Sequence, residues 1–260
     1  MKIVCVNSKG GSSKSTVAMQ CAAAYYLSRG EEVTLHELDD ENRDALCFDR
    51  TKILTNQIKV EDGSDLSLEL TKILSKRETN AVIDVGGNRS TTITLEALAR
   101  SRMSIAVDLF IIPMSGGSQD FINAVKTYEM IKDFNRPIIF ALSRARRPLK
   151  DPRVRYQFSN FFEKFPKAKF FFLRDSDAVD LSRDTGLTIL ELAQDSHFKA
   201  GLENQIATCF QAGDDNGIFA AQTMLDIYDD AGEWYTECLK PAFKLIDTFN
   251  PKNGGKNGDA

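Results

Sequence analysis

The sequence is poor in the residues that most metal and disulfide proteins depend on. Two histidines, His36 and His197, occur in 260 residues, too few and too separated for a metal site. The five cysteines, Cys5, Cys21, Cys47, Cys209 and Cys238, are scattered, odd in number and form no C-x-x-C pair. That argues against a disulfide framework or a zinc site and suits reduced thiols in a cytoplasm. No apolar run approaches the ~20 residues of a membrane helix. Lys2 leads straight into an apolar stretch, so no signal peptide is expected. Excess positive charge is also missing: 33 Lys and Arg against 37 Asp and Glu leave a net −4. The whole chain therefore has no general reason to bind nucleic acid, although a local patch could. The single tryptophan, Trp234, is expected in the core or an interface rather than stacked on a ligand. What remains is ordinary: 42% hydrophobic and 27% charged residues, in a chain long enough to bury a core.

The most informative stretch is Lys2 to Thr16, KIVCVNSKGGSSKST. Ile3, Val4 and Val6 favour a strand that is apolar on both faces, as a buried parallel strand is. Gly10 and Gly11 allow a tight turn and close approach to a ligand. A helix opening at Lys14-Ser15-Thr16 would aim free N–H groups and its positive dipole end at the turn, which is an anion site. In the P-loop pattern G-x-x-x-x-G-K-[ST], Lys14 reaches the β- and γ-phosphates and the Ser15 hydroxyl ligates Mg²⁺. Gly10, Gly11, Ser12, Ser13, Lys14, Ser15 and Thr16 are the candidate cradle. Ser13 stands where the pattern has its last glycine.

A second lysine, Lys9, makes the stretch K-G-G-x-x-K-[ST], which resembles the deviant Walker A motif of the ParA/MinD family of ATPases. The resemblance implies a P-loop NTPase fold, a mostly parallel doubly wound α/β sheet flanked by helices, here with a C-terminal helical extension. It implies ATP and Mg²⁺ as ligands and an ATP-dependent homodimer, with Lys9 reaching the partner's nucleotide. The family's second strand ends in D-x-D, its first acid near the metal and its second on the attacking water; here strand two reads Glu32 to Leu38 and the match is Glu37-Leu38-Asp39, so Asp39 carries over as the water-positioning acid and Glu37, one methylene longer, departs from the pattern. Asn80 to Gly87, NAVIDVGG, resembles a Walker B strand, with Asp84 as the Mg²⁺ partner of Ser15 and Gly86-Gly87 as a γ-phosphate-sensing switch loop. Asp108 and Pro113 match a family segment that ends in a proline beside the active site. Where relatives carry an adenine-reading Asn, this chain has Ser143 followed by Arg144; a hydroxyl offers fewer donors and acceptors than an amide.

Hydrophobic spacing fills in the rest. It predicts helices over Ser15–Ser28, Asp65–Ser75, Ile93–Met103, Gln119–Asp133, Val154–Phe165 and His197–Ala212, with a short helix around Thr51–Asn56. It predicts strands over Ser104–Pro113, Ile138–Leu142 and Ala168–Leu173. Arg174 to Leu192 resembles the family's late segment, a polar loop before Thr185. Residues 1–195 form the expected ATPase domain, 196–249 a helical extension packed on the core or a partner, and 250–260 a disordered tail. Pro241 should kink or divide the long run from Ile218.

The segment from Arg144 to Tyr156 is basic, and Arg146, Arg147, Lys150, Arg153 and Arg155 are candidate contacts to non-specific DNA, as ParA-type relatives make. The extension carries Asp226, Asp229, Asp230, Glu233 and Glu237, which anionic lipid would repel, so no membrane binding is expected. Two other classes on this fold fit less well. An iron–sulfur redox dimer needs cysteines mid-chain, and none lies between Cys47 and Cys209. Dethiobiotin-synthetase-like ligases are not favoured by the two lysines. The leading reading is a cytoplasmic, slowly turning ParA-like ATPase, stimulated by a ParB-like or other adaptor, that drives plasmid or DNA partition or positions a cargo. The alternative is an ATP-gated scaffold with little turnover, in conjugation or cargo positioning.

Overall fold

The computed structural model describes residues 1–38, 44–58 and 63–251. Asp39 and residues 40–43 lie outside the described residues, as do residues 252–260 of the expected tail. Among the described residues, seven strands form one all-parallel sheet: β1 (Lys2–Cys5), β2 (Thr34–Leu38), β3 (Leu54–Gln57), β4 (Ala81–Val85), β5 (Leu109–Met114), β6 (Ile138–Ala145) and β7 (Lys169–Arg174). Their order is β3-β2-β4-β1-β5-β6-β7, every pair parallel. Every residue of β1, β4 and β5 is buried, because helices cover both faces. Ile3 and Cys5 point into one layer, Val4 and Val6 into the other, following the period of two.

The first layer begins with the helix after the loop. It is α-helical over α1 (Lys14–Thr16), π-helical over Val17–Ala23, and α-helical again over α2 (Ala24–Ser28). Ala18, Ala22, Ala23 and Ala24 are fully buried, and such small side chains let the helix lie close on the sheet. The second layer holds α3 (Gly63–Ser75), α4 (Arg89–Arg100), α5 (Ser118–Ile131), α6 (Val154–Gln157) and α7 (Ser159–Lys164). The chain then returns to the first layer as α8 (Ala178–Thr185), α9 (Ile189–Leu192), α10 (Ser196–Ala212), α11 (Asp215–Trp234), a π-helical turn Tyr235–Leu239 and α12 (Lys240–Asp247). Tyr25 of α2 holds α12 there: its hydroxyl donates to Asp247 Oδ1 at 2.7 Å and accepts from Asn250 Nδ2 at 3.0 Å.

Four local expectations change, and a fifth, the division at Pro241, holds. The short helix around Thr51–Asn56 is instead the edge strand β3, all four residues exposed, paired with β2 from Thr34–Leu54 to Glu37–Gln57. Its side chains carry no alternation, so only the ladder to β2 defines it. The strand expected over Ser104–Pro113 opens as a 3₁₀ turn, Met103–Ala106, after Arg102 enters the left-handed region at φ 58°. β5 then starts at Leu109, where Asp108 accepts from the Lys2 N–H at 2.6 Å. The helix expected over Val154–Phe165 breaks at Phe158, whose φ −116° and ψ 24° leave the helical region. The polar loop expected before Thr185 winds into α8. Pro241 divides the last run by sitting in the first turn of α12, where its missing N–H costs little.

Candidate functional site

The turn between β1 and α1 is held from several directions. The buried Asn7 donates through Nδ2 to the Pro113 carbonyl at 2.6 Å and accepts from the Lys9 N–H at 3.0 Å. The Ser8 N–H donates to Thr127 Oγ1 at 3.1 Å. Ser12 Oγ donates to the Lys9 carbonyl at 3.0 Å, and the buried Lys14 ammonium donates to the same oxygen at 2.8 Å. Lys14 is thus folded back over the turn that a phosphate would fill. Gly11 and Ser13 both lie in the left-handed region, at φ 71° and 66°. For Ser13 that conformation costs about 1–2 kcal/mol that glycine would not incur. Its carbonyl nevertheless accepts the first helical hydrogen bond, from the Val17 N–H at 2.9 Å.

The neighbouring strand ends bring acids to this turn. Glu37 on β2 and Asp84 on β4 are register partners, 3% and 5% exposed. They line one narrow pocket with Ser15 and Thr16. Glu37 Oε1 accepts from the Ala45 N–H at 3.4 Å. A hydroxyl and two carboxylates are hard oxygen donors, the chemistry Mg²⁺ takes. Among the described residues no group of three His, Cys, Asp or Glu could cage a metal by itself. An ion here would complete its shell with phosphate and water, as Mg²⁺ does in phosphoryl-transfer sites. Cys5, in register with Asp84, is fully buried; burial first and the Asp84 charge second push its thiol well up, so it stays protonated.

The loop after β4 closes onto the turn. The Asn88 N–H donates to the Ser8 carbonyl at 2.6 Å. The Thr91 hydroxyl lies between the Asn7 carbonyl at 3.1 Å and the Gly86 carbonyl at 2.7 Å, tying the two loops together. A Cβ on Gly87 would stand 2.9 Å from the Gly10 nitrogen, so the loops touch backbone to backbone.

Lys9 does not stand free. Its ammonium pairs within the same chain with Asp120, which also accepts from the Ser115 hydroxyl. The lysine is 37% exposed and the aspartate 5%. Ser143 is buried and donates to the Met114 carbonyl at 3.1 Å. With Ser13, Thr16, Arg174 and Trp234 it lines a cavity of about 230 Å³ beside the turn. Pro113 is next to the turn through Asn7, whereas Asp108 sits at the opposite, N-terminal end of the sheet.

Residues 1–131 match the family model of the MipZ ATPases. The chain belongs to that family, within the ParA/MinD group of P-loop ATPases. No curated protein matches it. Its fold is shared with an ATP complex of a McdA variant from Cyanothece, at 14% identity and TM-score 0.55 over 74% of this chain and 89% of that one. MinD of Aquifex aeolicus is similar at 14% identity and TM-score 0.54, over 75% and 89%. MinD of Pyrococcus furiosus is similar at 17% and 0.52, over 72% and 88%.

In this MipZ-family chain the sequence-predicted residues divide. Lys9, Lys14, Glu37 and Asp84 gather around one turn with Gly10 to Thr16, and Ser143 and Arg144 flank it. Asp39 lies outside the described residues. Of the basic segment, Arg146, Arg147 and Arg153 line an open cleft of about 1240 Å³ with Lys9, Arg144 and Tyr156. Lys150 and Arg155 are directed elsewhere: Lys150 pairs with Glu237 at 3.3 Å, and Arg155 covers the Phe162 ring at 4.7 Å. Asn7, Thr91 and Asp120 join the site through the fold and belong to none of the motifs above. Asn7 interrupts the apolar run of β1 just before the glycines, which was the available signal. No helix among the described residues is long and apolar enough to cross a membrane.

Proposed function

We propose that this chain binds Mg·ATP in the turn after β1, forms a nucleotide-dependent sandwich dimer and hydrolyses ATP slowly, to drive DNA or plasmid partition or to position a cargo. The observation that carries the reading is the joint placement of Lys9, Lys14, Glu37 and Asp84 around one glycine turn. Lys14 would exchange the Lys9 carbonyl for the β- and γ-phosphates. Ser15 and Asp84 would hold Mg²⁺, which supplies charge neutralisation at those phosphates when bound. Lys9 would exchange Asp120 for the partner's nucleotide and stabilise charge on the transferring phosphoryl group. Asp39 would position the attacking water. The ATP complex of the similar McdA fold supports the choice of nucleotide. A MinC:MinD complex, 14% identical at TM-score 0.56, supports an adaptor partner, ParB-like or otherwise. The three arginines of the open cleft, Arg146, Arg147 and Arg153, are the contacts to non-specific DNA.

Lys14→Ala should abolish ATP binding measured by calorimetry, and intact binding sinks the site assignment. Lys9→Ala should spare binding and remove ATP-dependent dimerisation in sedimentation experiments. Wild-type dimerisation and hydrolysis in that variant would remove Lys9 from the cross-subunit role. The scaffold alternative is favoured by the strained Ser13 and by Glu37 in place of aspartate. ATP-dependent dimers with no turnover, with or without DNA, would establish it.

A further inference from the structure

Beyond the region matched by the MipZ family, α10 and α11 form an antiparallel hairpin. Among the described residues, its ties to the rest of the chain lie at its base. The Phe198 and Tyr228 rings stack at 5.7 Å, and the Tyr228 hydroxyl donates to the Asp195 carbonyl at 3.2 Å. Lys199 pairs with Asp229 at 2.9 Å, Arg174 with Asp230, and Lys150 with Glu237 at 3.3 Å. Toward the tip burial stops. Leu202 and Ala221 are the last buried residues on the two helices. Past them Phe210 and Phe219 are 75% and 72% exposed, on either side of the turn at Gly213, where φ is 68°.

The charge of this element is one-sided. From Ala200 to Leu239 there is no lysine or arginine, and there are eight acids. Four of them are exposed: Asp214 and Asp215 at the tip, and Glu203 and Asp226 seven residues from Phe210 and Phe219, on the same helix faces as those rings. Two exposed phenylalanines inside an acidic surface are what an anchor site with a polar rim looks like, since aromatic residues dominate interface energetics and charge sets the partner.

We infer that the tip of the α10–α11 hairpin docks a basic amphipathic segment of another protein, its apolar side on Phe210 and Phe219 and its lysines or arginines opposite Glu203, Asp214, Asp215 and Asp226. A second copy of this chain would bring the same eight acids against themselves, and anionic lipid or nucleic acid would be repelled for the same reason. The surface lies outside the nucleotide site, so the inference does not rest on the function proposed above.

The test is fluorescence anisotropy on the full chain with two labelled synthetic probes, an 18-residue Leu/Lys amphipathic helix and its Leu/Glu counterpart. The Leu/Lys probe should bind. Its affinity should fall at least tenfold in Phe210→Ser/Phe219→Ser, and likewise in Asp214→Asn/Asp215→Asn/Asp226→Asn, which keeps the helix cap at position 214. It should also fall between about 50 and about 300 mM salt. The inference is overturned if the Leu/Lys probe does not bind, if both variants bind it as the wild type does, or if the Leu/Glu probe binds equally. It is also overturned if the phenylalanine variant turns a nucleotide-free dimer into a monomer by sedimentation, since the face would then belong to a second copy.

Discussion

Replacing Gly87 by alanine should open the proposed nucleotide site from behind. The new Cβ would lie 2.9 Å from the Gly10 nitrogen and 3.1 Å from its Cα. Non-bonded heavy atoms rest about 3.5–4.0 Å apart, so the loops must separate by roughly half an ångström or more. Neither side can yield by a rotamer change, because the crowded atoms are backbone. The Asn88-to-Ser8 hydrogen bond at 2.6 Å and the Thr91 hydroxyl bridge resist the separation. Overpacking of this kind costs about 1–3 kcal/mol. The nucleotide-free protein can relieve it by letting the turn move outward, but a phosphate cradle has to be closed to bind. The cost then appears in affinity, and at about 1.4 kcal/mol per factor of ten ATP should bind about fivefold to a hundredfold more weakly. Calorimetric titration with ATP reads this, alongside urea denaturation of the nucleotide-free chain. Gly201→Ala is the control. Its Cβ meets nothing within 4 Å in α10, so it should leave ATP binding alone and raise stability by about 1 kcal/mol. Wild-type ATP affinity together with an unchanged urea midpoint in Gly87→Ala would refute the reasoning.

Ser13→Gly should relieve about 1–2 kcal/mol of left-handed strain and lose about 0.4–1 kcal/mol to a freer unfolded chain, a net gain of up to about 1.5 kcal/mol in urea denaturation. A clear destabilisation would mean that the serine side chain makes a contribution this balance omits. Asp120→Asn should release Lys9 from its half-exposed ion pair, worth about 1 kcal/mol. The protein concentration needed for ATP-dependent dimerisation, read by sedimentation, should fall about fivefold with ATP affinity unchanged; no fall would show that the pair does not restrain Lys9. For His36, burial first, then Lys2 and Lys76, push the ring down to about 4 from the ordinary 6.5. The folded chain therefore takes up its proton later than the unfolded chain, and this stability, complete above pH about 6.5, is lost as pH falls toward about 4. With the ring only half-buried, the loss is about 1–2 kcal/mol. His36→Gln should flatten urea-derived stability over that window, and an unaltered slope would show that other groups set it.

The central strands and the turn were readable from sequence because their signals are local. β1 and β4 are apolar but for Lys2 and Asp84, β5 is apolar throughout, and Gly10, Gly11, Lys14 and Ser15 lie within six residues of one another. The left-handed backbone at Ser13 was readable in part: the motif marked the place for glycine, and only the dihedrals showed that the serine adopts the same conformation. β3 was not readable, since its four exposed residues, three of them polar, become a strand by hydrogen bonding to β2. Asp120 lies 111 residues from Lys9, and Asn7 lies 106 from Pro113. No spacing rule links such pairs, because the strand order that juxtaposes them is a property of the assembled sheet. The sequence alone therefore determined that a glycine turn with two lysines would form at the end of β1. The tertiary structure decided how that turn is restrained: Lys9 drawn onto Asp120, Lys14 folded onto the Lys9 carbonyl, and Gly87 pressed against Gly10. Each is a contact between segments that only the packing of parallel strands side by side brings within reach.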